Sequence, residues 1–592
     1  MHKKTSFLPM YLDEMAARGW GELDVIIISG DAYVDHPSYG TALIGRLLES
    51  KGYRVGIIAQ PDWRSLDDFT RLGRPRLCVC VTAGNVDSMV AHYTANKRRR
   101  QGDDFAPGGK DGLRPDRAAI VYANRAKAAF KGLPVILGGV EASMRRLAHY
   151  DYWDDAVRRS VLIDAKADMI IYGMAERPVV EVMARLAQGE AIAAIRDVRG
   201  TVVRVKPAEF PAGTIELPSF EDISRDPEIF NQAFRLAYAE MSPEDGKPLA
   251  QRHADQCVLQ LPPALPLTPQ ELDAGYDLAY ARTWHPSYDA LGGVKGLETV
   301  RWSITAVRGC PGECHFCGIT FHQGRIVQSR SVASIVREAE GLARDPAFRG
   351  TIQDVGGPTA NLYGASCANW NKGRVCRGKQ CLMPSKCPSL DLGCREAVSL
   401  YEAIRRVPGI KHMFVQSGLR YDLLLEPAAL DYFKVLCRYH VSGQMKVAPE
   451  HTSDEVLALM NKPPYARYEA FVRLFNEINA GLGKKQFLVN YFVSAHPGAG
   501  LKEAFDCASM LLSRGMHPEQ VQDFLPLPMT VSACMYHTGK HPLTGKSVYV
   551  PRKDNERAMQ RALVQSQNPG NAPLIDKALN ILGKQGVKKK FK

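Results

Sequence analysis

Long hydrophobic runs are missing from this 592-residue chain. No stretch of about 18 consecutive apolar residues occurs, so no helix is expected to span a membrane. A secretory leader is missing as well. The apolar stretch Phe7-Leu8-Pro9-Met10-Tyr11-Leu12 is broken by Pro9 and stopped by Asp13 and Glu14. Without an export signal, the 14 cysteines do not read as the disulfide framework of a small secreted domain. A reducing cytoplasm is the expected compartment. Compositional extremes are lacking too: 45% hydrophobic and 23% charged residues describe an ordinary globular protein. At this length roughly two to four domains are expected. The net charge of +13 permits contact with nucleic acid or an acidic substrate. Spread over so long a chain, it reads mainly as solvated surface. The run Lys97-Arg98-Arg99-Arg100 and the tail Val587-Lys588-Lys589-Lys590-Phe591-Lys592 are read the same way, with RNA contact as the alternative.

What is present is a concentration of cysteine. Cys310, Cys314 and Cys317 are spaced C-x3-C-x2-C directly after the alternating run Val300–Val307, which reads as a strand. The thiols therefore sit on a loop at a strand's C-terminal end, where α/β folds place their chemistry. Three thiolates on a short loop can each take one iron of a cubane cluster and leave the fourth iron open. A closed zinc site is the alternative, with His315 or His322 as its fourth ligand.

This spacing, with the aromatic Phe316 just before the third cysteine, resembles the signature of the radical S-adenosylmethionine (SAM) superfamily. The resemblance implies a 4Fe–4S cluster, SAM bound on its open iron, and a 5′-deoxyadenosyl radical. It further implies a one-electron donor such as flavodoxin or ferredoxin. The motif names no substrate.

Upstream, short apolar runs alternate with helical periods. Asp24–Ser29, Arg54–Ala59, Arg76–Thr82, Pro134–Gly138 and Asp168–Tyr172 read as buried parallel strands. Helices are expected at Tyr39–Lys51, Arg117–Lys131 and Glu176–Ala187. Residues 1–200 thus predict a doubly wound α/β domain. Its first strand–helix loop is similar in position to that of cobalamin-binding domains, which carry an Asp-x-His-x-x-Gly loop. Here His36 follows Asp35 directly and Gly40 falls four residues later, so no cobalamin is expected. Asp35 and His36 stay as candidates for substrate contact, against a plain turn. The proline-rich stretch 201–290 reads as a connector or cap.

Residues 291–535 alternate again, with strands expected at Thr351–Val355, His412–Gln416, Gln444–Ala448, Gln486–Val493 and Val521–Leu525. Counting the strand before the cysteines, this makes a partial (β/α)6 barrel, the architecture that the resemblance implies. Gly356 and Gly357 match the superfamily's Gly-Gly-Glu-like element, which meets the SAM amino group through its backbone; Pro358 stands where the acid would be. Glu450, in Glu450-His451-Thr452-Ser453-Asp454-Glu455-Val456-Leu457, is placed by the resemblance near the SAM ribose or amino group. A helix-entry carboxylate is the alternative. His496 and Asp523 are further candidates for the pocket.

Five more cysteines, Cys367, Cys376, Cys381, Cys387 and Cys394, crowd the insertion 362–395. Their spacing matches no common zinc pattern. An auxiliary iron–sulfur cluster, zinc and a redox disulfide are all open for them. Together with Gln416-Ser417-Gly418-Leu419-Arg420-Tyr421-Asp422, these features make most of the chain resemble the YgiQ-type radical SAM proteins. The expected function is therefore radical SAM chemistry on an unknown substrate. The alternatives are a metal-stabilised RNA-binding or interaction protein, and a radical methyl- or methylthiotransferase. Residues 536–592 read as an extension with a helix at Asn555–Gln565 and a disordered basic tail.

Overall fold

The five apolar runs of the N-terminal region do form parallel strands. They are β1 (Val25–Ser29), β2 (Val55–Ala59), β3 (Cys78–Thr82), β4 (Val135–Gly138) and β5 (Met169–Ile171). In this computed structural model, which describes residues 6–591, all five are buried on both faces. That double burial explains why they read as continuous apolar runs rather than alternating ones. Helices Gly40–Ser50, Ala118–Ala129 and Glu176–Ala187 cover the sheet, each within one or two residues of its expected bounds.

The stretch expected to be a connector behaves differently. β6 (Thr201–Arg204), β7 (Ile215–Leu217), β8 (Leu249–His253) and β9 (Gln256–Gln260) extend the same sheet, in the order β7-β8-β9-β6-β5-β4-β3-β1-β2. β6 runs antiparallel to β5, and β8 and β9 form an antiparallel hairpin. Its many prolines lie between these strands rather than within them, so they do not interrupt the ladders. The parallel part has the doubly wound order 2-1-3-4-5, whose crevice opens between the carboxyl ends of β1 and β3.

The second half supplies six parallel strands in chain order: β10 (Ser303–Thr305), β11 (Thr351–Ile352 and Asp354–Gly356), β12 (His412–Met413), β13 (Gln444–Glu450), β14 (Phe487–Ser494) and β15 (Gln520–Asp523). Ser303 pairs with Asp354, Thr351 with His412, Gln444 with Phe487 and Tyr491 with Gln520. A single parallel bridge, Leu419 to Val447, carries the sheet from the third strand's loop to β13. This is the expected partial barrel. Among the helices not anticipated, Tyr465–Leu482 buries Tyr468, Phe471, Phe475 and Ile478, an apolar stripe at helical spacing that follows Pro463-Pro464.

The cysteine-rich insertion contains one 3-10 turn, Trp370–Lys372, and its ends are joined by the Ser366–Asp391 bridge. At the C-terminus, Asp554–Val564 and a further helix, Ala572–Ile581, pack beside Leu501–Ser513. The basic tail is not disordered through Phe591: that ring is buried and stacks on Phe505, while Lys588 pairs with Asp576. One aromatic anchor outweighs the local charge. Met1–Thr5 and Lys592 lie outside the described residues. Among those described, no helix is long and apolar enough to cross a membrane.

Candidate active site

The cysteine loop leaves the barrel through a tight backbone path. Val307–Arg308 pairs with Gln328–Ser329, which closes the segment between them. Gly309 has φ +80°, and a Cβ there would lie 2.0 Å from the Ile326 carbonyl oxygen. Only glycine fits. Glu313 is also left-handed, at φ 45°, and its carboxylate is held by Arg325 at 2.8 Å and by the Tyr238 hydroxyl at 2.7 Å. Cys310 donates its N–H to Gly324 O at 3.1 Å, and Cys317 donates to Cys314 O at 2.9 Å. All three thiols are half-buried and none forms a disulfide.

Cations from later strands reach this loop. Arg420 Nη1 lies 3.6 Å from Cys314 Sγ, and the same guanidinium holds Asp422 with bonds of 2.9 and 2.8 Å. Asn461 Nδ2 donates to Glu313 O at 3.0 Å, and Lys462 Nζ lies 3.4 Å from Glu450 Oε1. Burial pushes the Cys314 thiol up, and Lys462 and Arg420 pull it partly back. Burial pushes Cys317 up to about 12. A metal centre here would displace thiol protons, and the neighbouring cations compensate the resulting negative charge.

A cavity of about 1170 Å³ lies between the barrel and the N-terminal sheet. On the barrel side, Cys317, Gly357 and Glu450 line it; on the sheet side, Thr82, Gly84 and Asn85 do. The latter sit at the carboxyl end of β3, beside the crevice that the strand order creates. A Cβ on Gly357 would meet Val307 O at 2.2 Å, so that residue must be glycine for β11 to lie against β10. Gly356 packs against Ser417 instead and does not line the cavity. Glu450 is left-handed at φ 68°, beyond a register shift in the β13–β14 ladder. Such an irregularity re-aims a side chain beside an active site. Burial raises the Glu450 carboxyl, and Lys462 opposes the shift.

Other expected residues are placed elsewhere. Asp35 is fully buried, accepting from Arg46 Nη2 at 2.5 Å, Tyr33 Oη at 3.2 Å and Ala281 N at 2.9 Å. It ties the first domain to the entry of the barrel. His36 accepts from Ser38 N and does not line the cavity. Substrate contact by either residue is therefore corrected to a buried structural role. His496 is buried between Pro497 O and Ser532 Oγ, both at 2.7 Å, and does not line the cavity either. Asp523 does line it, but is held by Ser494 and Arg561. His315 is fixed on Leu459 O at 2.9 Å and His322 on Ser143 Oγ at 3.1 Å. Among the described residues no three His, Cys, Asp or Glu side chains converge as a single-ion site.

Arg420, Asn461 and Lys462 were the residues that sequence reasoning passed over as functional groups. Arg420 lies inside a motif used only for the resemblance, and Asn461 and Lys462 follow the Glu450–Leu457 motif by a few residues. The signal available was chemical: thiolates need nearby cations, and Arg420 and Lys462 follow the third and fourth strands of the barrel.

Residues 7–303 match the family described as "Radical SAM N-terminal", and residues 519–588 match a domain of unknown function, DUF3362. A UPF0313 protein of Methanocella arvoryzae is 52% identical over 96% of this chain and 94% of its own length. One from Clostridium botulinum is 48% identical over 97% of this chain and 90% of its own. One from Methanosarcina mazei is 47% identical over 97% of this chain and 96% of its own. The chain belongs to the UPF0313 family of the radical SAM superfamily. Membership makes it a radical SAM enzyme without assigning a substrate. Among solved structures, the radical SAM methyltransferase TsrM from Kitasatospora setae, with cobalamin and a [4Fe-4S] cluster bound, overlays with a TM-score of 0.49 at 15% identity, covering 86% of this chain and 74% of that one. The cobalamin-dependent radical enzyme OxsB overlays with a TM-score of 0.48 at 11% identity, covering 90% and 58%. Both overlays are loose, and neither carries an argument about this chain. Both proteins hold cobalamin in those structures.

Proposed function

We propose that Cys310, Cys314 and Cys317 hold a 4Fe–4S cluster beside which SAM binds, and that the substrate occupies the cavity between the barrel and the N-terminal sheet. One observation carries the reading: a thiol of the cysteine loop, Gly357 and Glu450 share one wall of a cavity whose other wall is the crevice of a doubly wound sheet. When bound, the cluster and SAM supply a 5′-deoxyadenosyl radical that abstracts hydrogen from the substrate. The chain's own groups do the positioning. Arg420 and Lys462 offset thiolate charge, the close fit of Gly357 brings backbone within reach of SAM, and Glu450 accepts from its ribose or amino group. Apolar walls such as Ile136, Leu137, Phe316 and Phe492 exclude water from the reacting centre. Anaerobic reconstitution with iron, sulfide, SAM and reductant should yield 5′-deoxyadenosine. A Cys314→Ala protein that keeps both cluster absorbance and that product would sink the reading.

The size of the cavity favours a second reading for its sheet-side half. Ligand pockets usually fall between roughly 300 and 1,000 Å³. At about 1170 Å³ this one exceeds that range, which favours a second ligand such as a corrin over β3 and β4, beside SAM. His36 faces away and would not be its ligand. Titration of the full chain with hydroxocobalamin, followed by gel filtration, should give co-elution; complete separation of the corrin removes this reading.

A further inference from the structure

The cysteine-rich excursion between β11 and helix Cys394–Arg405 is left without a role by the proposed SAM site. We propose that Cys367, Cys376, Cys381 and Cys387 bind a second iron–sulfur cluster, with Cys394 outside the set. Long loops without secondary structure are uncommon inside a compact domain unless something functional orders them. Here two 3-10 turns, Ala360–Leu362 and Trp370–Lys372, and the Ser366–Asp391 bridge are the regular elements of the excursion. Four half-buried thiols with no disulfide between them lie on it. Cys387 donates its N–H to Cys381 O at 2.8 Å, and the Cys381 thiol lies within electrostatic reach of Cys376 and Cys367. Cys376 Sγ accepts from Asn369 Nδ2 at 3.1 Å. Hydrogen bonds to sulfur of this kind stabilise cluster thiolates and tune their potential.

A cluster suits four separate thiols on one excursion. Among the described residues no three His, Cys, Asp or Glu side chains form a single-ion site, here or at Cys310, Cys314 and Cys317. Thiolates around a cubane stand further apart than around zinc, because each binds a different iron. Cys394 is set apart. It is the first residue of its helix, it is buried, and the groups that raise its thiol besides burial are Asp391 and Glu396, not another cysteine. The excursion also touches the first cysteine loop. Arg325 Nη2 donates to Lys379 O at 2.8 Å and pairs with Glu313, which lies between Cys310 and Cys314. Assembly takes up two ferrous and two ferric ions with four sulfide ions, and the four thiols release their protons as they bind iron.

The test counts iron, sulfide and zinc in full-length protein reconstituted anaerobically. If both cysteine sets are loaded, the wild-type chain should carry about eight iron and eight sulfide atoms. The variant Cys310→Ala/Cys314→Ala/Cys317→Ala should keep about four of each and show a reduced-cluster electron paramagnetic resonance signal. Cys376→Ser/Cys381→Ser should lose about half of the wild-type iron, and Cys394→Ser should lose none. A triple variant without iron, or with zinc in its place, overturns the proposal. Should the serine pair aggregate, the triple variant still decides, because it leaves the excursion intact. Failure of the SAM-site reading would show separately, as equal iron in the triple variant and the wild type.

Discussion

Two cysteine loops sit side by side in this protein and are held in place by different means. The first, around Cys310–Cys317, is braced by groups far away in the chain: Glu176 on Arg308, Arg420 on Cys314, Asn461 on Glu313. The second, Cys367–Cys387, is closed by its own turns, the Ser366–Asp391 bridge and Lys386 on the carbonyls of Cys387 and Leu390, and is tied from outside by Arg377 on Glu240, by Val375 N–H on Ser242 and by Arg325 on the Lys379 carbonyl. Non-local bracing fixes a loop relative to other walls of a cavity, which a site needs if a second molecule must be aligned there. The outside ties of the second loop run to residues 240–245 and Arg325, which do not line the cavity. That suffices for holding a group without presenting it to a partner.

The largest expected effect falls on the first loop. Cys314→Ala should abolish 5′-deoxyadenosine formation, measured by chromatography of single-turnover mixtures, whereas Cys387→Ser should leave product detectable. Equal loss in both would break the division of labour. Next is Arg420→Ala, which strands the buried Asp422 carboxylate. Removing one partner of a buried pair costs about 3–5 kcal/mol. Urea unfolding should register this, and adding Asp422→Asn should recover part of it.

Acid should separate the two loops as well. Burial holds His322, His451 and His537 at about 4, and His149 and His496 at about 3. An unfolded histidine titrates near 6.5. Between these values the unfolded chain binds more protons than the folded one, so stability falls as pH drops from 6.5 towards 4. Asp31, raised to about 6 by burial, opposes this, as do Glu141, Glu313 and Glu450, whose carboxyls burial also raises. The excursion 362–395 contains no histidine. Hydrogen exchange at pH 5 should therefore rise around residues 308–318 before it rises around 367–394; simultaneous opening would show that the loops are one unit. Glu450→Gln keeps the shape but loses the charge, and SAM affinity by calorimetry should drop about tenfold, roughly 1.4 kcal/mol. The smallest effect is Lys97→Ala. Lys97 lies over the Tyr152 ring at 4.7 Å on the surface, and thermal stability should shift within about 0.5 kcal/mol.

Much of the fold was legible because double burial writes itself as apolar runs. β1 to β5 and their helices emerge within a residue or two of where periodicity puts them. β6 to β9 were hidden: partner strands far apart in sequence made them a sheet, while the prolines between them spoke for a connector. Helix Tyr465–Leu482 was hidden by the two prolines before it. At the candidate site, spacing singled out Cys310, Cys314 and Cys317, while the left-handed Gly309 beside them emerged only in the structure. Arg420 and Lys462 were not singled out, since nothing local distinguishes a cation that will face a thiol from one that will face water.

Alone, the sequence determined which atoms are available: three thiols on a strand-end loop, five more in an insertion, two glycines after the next strand. Those are local facts, set by spacing and by the strand that precedes them. Tertiary structure decided which of these atoms meet. It turned Asp35 and His36 into buried supports, brought Glu450 and Gly357 to one cavity wall, and separated Cys394 from its four neighbours. The physical reason is that burial, charge pairing and backbone approach depend on partners hundreds of residues away, and only the folded chain chooses them.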